Sequence, residues 1–290
     1  MTKIKKAVIP VAGFGTRFLP VTKAQPKEML PVVDKPSVQY AVEEAVRAGI
    51  KDIILITGNS KRAIEDHFDS NFELEYNLKT KKKTQALKAV QKIAKLANFI
   101  YIRQNKALGN GHAILCAKSV IGKEPFVVIW PDDLIDSPQN CIQQMIEVYD
   151  QYQSPVIGVL AVTKKEVEKY GIIKNKYITK NVHQVLGVVE KPKLSKAPSN
   201  LAILKGYVLT SSVFGILEKL KPGKGGEIWL ADAVMKLLKT HSVFACEFKG
   251  KIYDVGSKAG WLKANIAYAL KHPELKEEIK KFIAKDLKKI

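Results

Sequence analysis

The densest chemistry in the chain lies near its start, where Val8-Ile9-Pro10-Val11-Ala12-Gly13-Phe14-Gly15-Thr16-Arg17-Phe18-Leu19-Pro20 is followed by Pro26-Lys27-Glu28-Met29-Leu30-Pro31. Gly13 and Gly15 let backbone N–H groups come close to a ligand, and successive N–H groups in such a loop form a concave anion site. Arg17 and Lys27 add two fixed cations just downstream. Bare amides with two cations suit a nucleoside triphosphate.

The same residues exclude two other phosphate loops. A Walker loop ends in Gly-Lys-Ser/Thr, and no such Lys-Ser/Thr pair follows these glycines. The dinucleotide fingerprint Gly-x-Gly-x-x-Gly begins at Gly13 and Gly15 but meets Phe18 at its third glycine. Pro20 and Pro26 also interrupt any helix that would open at Gly15.

More polar groups follow apolar runs further along. Arg103-Gln104 succeeds Phe99–Ile102 and is followed by Gly109-Asn110-Gly111-His112, while Pro131-Asp132-Asp133 succeeds Phe126–Trp130. Asp254 lies in Tyr253-Asp254-Val255-Gly256, and is read as standing at the end of the last strand. Mg²⁺ takes one or two carboxylates together with phosphate oxygens and water, so Asp132 and Asp254 are candidate ligands. As residue types alone, Asp132, Asp133 and Asp254 fit turns or a helix cap equally well. His112 fits a helix start, and Glu190-Lys191-Pro192 fits a solvated strand end.

These groups need elements to hold them. Ala7 to Pro10 reads as a buried strand, and Val38, Ala41, Val42, Ala45 and Val46 repeat at helical spacing until Gly49. Ile53–Ile56 reads as a strand buried on both faces, followed by a helix from about Lys61 to Phe68. The charged stretch Asp69–Leu96 reads as a helical excursion from the core. Strands at Phe99–Ile102, Phe126–Trp130 and Val156–Val162 then alternate with helices at Gly111–Val120 and Gln139–Tyr149. Such alternation predicts an open, doubly wound α/β sheet.

The second half is more mixed. It has strand signals at Gly171–Lys174, Val185–Glu190, Ile203–Leu209 and Val243–Phe248, and helix signals near Ser212–Leu220, Ile228–Lys239 and Lys258–Leu270. Glu274–Lys289 places Leu275, Ile279, Phe282, Ile283 and Leu287 at helical spacing, so this tail must cover the core or meet another subunit. With no internal repeat or linker, the expectation is one domain over residues 1–271 and an amphipathic tail over 272–290.

Composition narrows the class. The chain has 290 residues, 46% hydrophobic and 26% charged, which is globular and enough for a large core. No apolar run approaches the ~20 residues of a membrane span, and Ala7–Ala12 is too short for a signal-peptide core, so a cytoplasmic protein is expected. Cys116, Cys141 and Cys246 lack metal-ligand spacing and read as free thiols. The net charge of +20 raises nucleic-acid binding, yet Arg occurs only at positions 17, 47, 62 and 103. Arg supplies much of base-edge and bidentate phosphate recognition, so the lysine excess reads as solvated surface, with neither nucleic acid nor membrane as partner.

Taken together, these segments resemble the bacterial UTP–glucose-1-phosphate uridylyltransferase family, a branch of the sugar-nucleotide pyrophosphorylase superfamily. The likeness keeps motif order over almost the whole chain. It runs from Ile9–Pro20, Pro26–Pro31 and Val33–Pro36 through Gln39-Tyr40, Arg103-Gln104, Gly111–Ala113 and Tyr170-Gly171 to Val188–Pro192, Ala197–Ala202 and Lys249–Lys251 with Asp254 and Gly256. Gly-x-Gly-Thr-Arg marks only the superfamily. Pro-Lys-Glu-Met-Leu-Pro with Ala-Pro-Ser-Asn-Leu-Ala marks this branch, apart from relatives that use dTTP, ATP or GTP.

The resemblance implies a Rossmann-like nucleotide-diphospho-sugar transferase fold, α/β, with a mixed, mostly parallel central sheet. It also implies the reaction UTP + glucose 1-phosphate → UDP-glucose + pyrophosphate with Mg²⁺, in a homodimer or homotetramer. Carried onto matching positions, Ala12 and Gly13 with Gln104 and Gly109 would hold uracil, the Gln amide offering both a donor and an acceptor. Arg17 and Lys27 would grip the triphosphate, with Gly15, Thr16, Glu28 and Gly111 completing the nucleotide side. Asp132 and Asp254 would bind the metal. Gly171 and Glu190 would bond the glucose hydroxyls, and Lys191 would neutralise the sugar phosphate.

Some positions depart from the family pattern: Asn110, Gln25, and Trp229 and Ala231 in place of Gln and Thr. None removes a metal ligand or a phosphate contact. A thymidylyltransferase using dTTP and a non-catalytic sugar-nucleotide sensor are the competing readings.

Overall fold

The structure is a computed structural model that describes residues 3–285. Period-two burial builds its centre. Strand β1 (Lys6–Pro10) sends Ala7 and Ile9 into one core and Val8 into another on the opposite face, the pattern of a strand covered on both sides. A short ribbon, β2 (Pro31–Val32) and β3 (Lys35–Pro36), leads to helix α1 (Ser37–Arg47) and strand β4 (Asp52–Thr57). Helices α2 (Arg62–Phe68), α3 (Phe72–Thr80) and α4 (Thr84–Ala94) precede β5 (Asn98–Arg103), so the charged excursion is helical as its composition indicates.

Helices α5 (Asn110–Cys116) and α6 (Lys118–Ile121) follow, and the single helix expected over 111–120 is divided at Ala117. Then come β6 (Phe126–Ile129), β7 (Asp133–Asp136), α7 (Cys141–Tyr152) and β8 (Val156–Ala161). The second half contributes β9 (Gly171–Thr179), β10 (Val182–Glu190), β11 (Leu201–Leu209), α8 (Ser212–Leu217), α9 (Leu230–Leu237) and β12 (Phe244–Glu247). Strand β13 (Lys251–Asp254), α10 (Lys258–Ala269) and α11 (Lys276–Lys285) end the described chain.

Nine strands form one sheet in the order β5-β4-β1-β6-β11-β8-β12-β10-β9. β5, β4, β1 and β6 are parallel neighbours, β8 and β12 are parallel, and β11 and β10 run against the others. The sheet is therefore mixed, with most strands pointing one way. Helices α1, α2 and α7 cover one face and α5, α8 and α9 the other, giving the three-layer α/β architecture. Because β5, β4, β1 and β6 are parallel, their carboxyl ends share one edge, where open α/β sheets bind ligands.

Two features refine the sequence expectations. Asp254 ends the last strand, as the sequence leads one to expect, but that strand lies outside the main sheet. It ends β13, which pairs antiparallel with β7 in a separate two-stranded ribbon that sets Asp254 opposite Asp133. Asp133 accordingly opens a strand, and is neither a turn residue nor a helix cap. The tail helix α11 buries none of its residues, and Phe282 is half-exposed, so within one chain it does not cover the core. Leu287 and Lys289, expected to continue this helix, lie outside the described residues. Among the described residues no helix is long and apolar enough to cross a membrane.

Candidate active site

The loop after β1 is anchored through its backbone. Val11 donates to the carbonyl of Ile56, and the Thr22 hydroxyl donates to the carbonyl of Gly15 at 2.7 Å. Gly15 has φ +67°, which glycine adopts without strain, and turns the chain into the short 3-10 turn Thr16–Phe18. Among the described residues no carbonyl accepts from the N–H groups of Ala12, Gly13, Phe14 or Gly15. The loop thus presents a row of open donors over the stem of Lys27, whose Cε would lie 3.6 Å from a Cβ at Gly13.

Lys27 connects this loop to the carboxylates. Its ammonium is in close contact with Asp132 Oδ2 and 3.6 Å from Glu28 Oε1. Burial opposes its charge, but Asp132 and Glu28 outweigh that and hold the ammonium above its ordinary range. Glu28 is 1% exposed and pairs with the buried Lys61 at 2.8 Å. Burial pushes its carboxyl up, while Lys27 and Lys61 pull against that. Glu28 therefore stands behind Lys27 and steers it.

Asp132 and Asp254 converge on Gly256. A Cβ placed at Gly256 would lie 2.9 Å from Asp132 Oδ2 and 3.0 Å from Asp254 Oδ1. The missing side chain leaves a cradle between two carboxylate oxygens. The Gly256 N–H donates to Asp254 Oδ1 at 3.0 Å, Val255 N–H donates to the Asp132 carbonyl, and Arg17 Nη1 donates to the Gly256 carbonyl at 3.4 Å. Arg17, Lys27, Asp132 and Asp254, from three separate parts of the chain, meet around Gly256.

The residues expected to hold the base follow the end of β5. Gln104 N–H donates to the Thr57 carbonyl, and the Gln104 amide nitrogen donates to the Gly109 carbonyl at 3.1 Å and to His112 Nδ1 at 2.9 Å. Both amide hydrogens are thereby engaged, which leaves the side-chain carbonyl as the free function. His112 is more than the start of α5: it fixes this amide. Gly111 N–H donates to the Ile228 carbonyl at 2.8 Å, and a Cβ at Gly109 or Gly111 would come within 2.9 Å of the same oxygen. Both glycines admit the chain before α9, and the departure at Asn110 joins them, its Oδ1 accepting from Leu230 N–H at 2.9 Å.

On the other side, Gly171 and Glu190 are register partners of β9 and β10. A Cβ at Gly171 would lie 3.0 Å from Glu190 Oε2, so the bare backbone lets this carboxylate lie over it. Lys191 has φ +45°, donates its N–H to the Tyr170 carbonyl, and keeps its exposed ammonium 3.8 Å from Glu190 Oε1. Tyr207 links this side to the carboxylates: burial raises its phenol, and Glu190 and Asp133 add to the rise.

Lys61 and Lys205 carry no local sequence signal of a role in the site. Gly256 shows only as part of the Tyr253-Asp254-Val255-Gly256 motif. Lys205 is the single charge in the apolar run Leu201–Leu209, and it is fully buried. Burial also pushes the neighbouring Asp133 carboxyl up to about 7, the Lys205 backbone N–H pulling it down.

A nucleotide-sized donor loop, paired carboxylates and cations at the carboxyl edge of a mixed α/β sheet define a nucleotidyl-transfer site. The chain belongs to the Nucleotidyl transferase family, whose profile matches residues 6–271. It is 50% identical over 290 residues to UTP--glucose-1-phosphate uridylyltransferase 1 of Streptococcus pyogenes serotype M1, covering 98% of this chain and 95% of the relative. Among solved structures it resembles a UTP-bound UGPase from Acinetobacter baumannii, with TM-score 0.92, 44% identity, and 98% and 99% of the two chains covered. It also resembles a UDP-glucose pyrophosphorylase complexed with UDP-glucose, with TM-score 0.85, 44% identity, and 93% and 100% covered.

Proposed function

We infer that this enzyme joins UTP and glucose 1-phosphate to give UDP-glucose and pyrophosphate. The observation that carries the reading is the meeting of Arg17, Lys27, Asp132 and Asp254 around Gly256, beside a loop of open N–H groups. Near-full-length similarity to uridylyltransferases supports UTP as the nucleotide.

The reaction brings two anions together, so positioning and charge neutralisation supply most of its catalysis. The sugar-phosphate oxygen attacks the α-phosphorus in line, and pyrophosphate leaves. The attacking phosphate is already ionised near neutral pH, and so no side chain has to remove a proton. In this reading the Ala12–Gly15 amides and Gln104 hold the nucleotide, with the Gln104 carbonyl accepting from uracil N3–H. Arg17 and Lys27 grip the triphosphate, and Arg17 steadies the departing pyrophosphate. Gly171 and Glu190 bind the glucose hydroxyls, while Lys191 offsets the charge of the incoming phosphate.

The Gly256 cradle, with an oxygen of each carboxylate close to it, fits a divalent cation that completes its shell from phosphate and water. Asp132 and Asp254 would hold it, and we assign it as Mg²⁺. When bound, it supplies charge to the phosphate oxygens and orients them. The unburied apolar face of α11 favours a homodimer or homotetramer, which light scattering would size. The free thiols Cys116, Cys141 and Cys246 accord with a reducing, cytoplasmic setting.

Phosphorus-31 NMR of enzyme, Mg²⁺, UTP and glucose 1-phosphate tests the function. Appearance of UDP-glucose and pyrophosphate resonances, dependent on both substrates, is the expected result. Shifted UTP resonances without product would establish a sensor instead.

A further inference from the structure

Lys205 combines two costly features at one residue. It is fully buried, and it is a non-glycine residue held at φ +71°. Such outliers persist where the surrounding structure over-determines them, and they cluster at functional sites. Burying a charge is likewise costly unless it is paired and fully hydrogen-bonded.

The contacts show what holds it there. In β11 the residues between Ile203 and Tyr207 bulge out of register with β8. Within the bulge, Lys205 accepts from Trp130 N–H through its carbonyl at 2.9 Å and donates its own N–H to Asp133 Oδ2 at 2.8 Å. Its ammonium donates to the Asp133 carbonyl at 3.1 Å and pairs with Glu44 Oε2 at 2.5 Å. Gly206 completes the bulge at φ +148°, where a Cβ would strike the Val128 carbonyl. Glu44 belongs to α1 and also accepts from Cys141 N–H at the start of α7. One residue therefore ties both flanks of Asp132, at Trp130 and Asp133, to two helices.

We propose that Lys205, braced by Glu44, is a positioning residue that fixes the Asp132 carboxylate for divalent-cation binding. The proposal rests on the assignment of Asp132 as a metal ligand. An uncharged residue could fill the same volume, but it would leave the Asp133 carbonyl and Glu44 without their shared donor. Outer partners of metal ligands typically change metal affinity or activity by about 10–100-fold when removed.

The test compares the wild-type enzyme with K205M, E44Q and the double variant E44Q/K205M. Mn²⁺ affinity of the complex with a non-hydrolysable UTP analogue is read by isothermal titration calorimetry, with melting temperature, kcat and KM for UTP measured alongside. K205M is expected to weaken Mn²⁺ and lower kcat by about tenfold or more, with KM for UTP little changed. E44Q leaves a buried cation without its carboxylate and should melt lower than the double variant, from which both charges are gone. The double variant should regain melting temperature without regaining Mn²⁺ affinity.

Wild-type Mn²⁺ affinity in K205M would overturn the proposal, as would recovery of Mn²⁺ affinity together with stability in the double variant. Should K205M alone not fold, the double variant reads the same constant. A wild-type enzyme that binds UTP and Mn²⁺ but releases no pyrophosphate would overturn the transferase reading while leaving this proposal standing.

Discussion

Replacing Gly256 by alanine probes the cation cradle with a single carbon. The position is buried and its φ lies outside the left-handed region, so alanine meets no backbone penalty there. The added Cβ would lie 2.9 Å from Asp132 Oδ2 and 3.0 Å from Asp254 Oδ1, against 3.4 Å or more for an ordinary contact. Each carboxylate oxygen must then retreat by roughly 0.4–0.5 Å, and Mg²⁺ demands near-ideal geometry at about 2.0–2.1 Å. A misplacement of about 1 Å costs roughly 100-fold in rate, so half of that at two ligands predicts a loss of about 10–100-fold. That loss is about 1.4–2.7 kcal/mol of transition-state stabilisation.

Coupled pyrophosphate release, titrated with Mg²⁺, is the assay. We expect kcat to fall by about 10–100-fold and the Mg²⁺ half-saturation point to rise about tenfold, while KM for UTP changes little. The melting temperature should move by only about 2–4 °C, the shift of a 1 kcal/mol change in a domain of this size. A variant with wild-type kcat and Mg²⁺ dependence would refute the placement of the cation between Asp132 and Asp254. Equal loss of stability and activity would show that Gly256 serves packing alone.

Other substitutions separate the roles of the site. Arg17→Ala should lower turnover by about 100-fold or more, since one positioned transition-state donor is worth about 2.7–4 kcal/mol; near-normal kcat at saturating UTP and Mg²⁺ would remove Arg17 from the pyrophosphate. Asp132→Ala should show a similar loss that added Mg²⁺ does not repair, and full repair at high Mg²⁺ would reduce its part to weak affinity. Gln104→Ala should raise KM for UTP by about tenfold, a hydrogen bond of roughly 1 kcal/mol plus the loosened Gly109 turn, and an unchanged KM would move the base elsewhere. Asn110→Ala removes the acceptor for Leu230 N–H and should cost about 1 kcal/mol, as other lost helix caps do. Its melting temperature is expected to drop while steady-state constants hold; a change confined to KM would make Asn110 a ligand contact.

Much of this arrangement is legible in the residues because it is local. The apolar runs of β1, β4, β5 and β6 announce a parallel layer, and the Gly13–Arg17 segment after β1 announces a loop at its carboxyl edge. The ribbon of β7 and β13 is not legible: each strand has four residues, and their pairing joins positions more than a hundred residues apart. That pairing is what brings Asp132 and Asp254 together, so two candidate ligands could be named but their meeting point could not. Lys205 fails for a different reason. In a strand, one charge between apolar residues reads as a solvent-facing position, and only the bulge turns it inward toward Glu44. The resemblance marks the glycines at 109 and 111 as ligand contacts, and the structure adds a packing reason for them, since a Cβ at either would meet the backbone at Ile228. Long-range packing, invisible to local pattern, decides each of these cases.

UTP-dependent transfer onto glucose 1-phosphate is decided by one steady-state comparison. Pyrophosphate release is measured with glucose 1-phosphate and Mg²⁺, varying UTP in one series and dTTP in the other. Release is expected to require the sugar phosphate, with kcat/KM for UTP exceeding that for dTTP by about tenfold or more, since each 1.4 kcal/mol of discrimination is a factor of ten. Equal or higher kcat/KM with dTTP, or no pyrophosphate with either nucleotide, would contradict it.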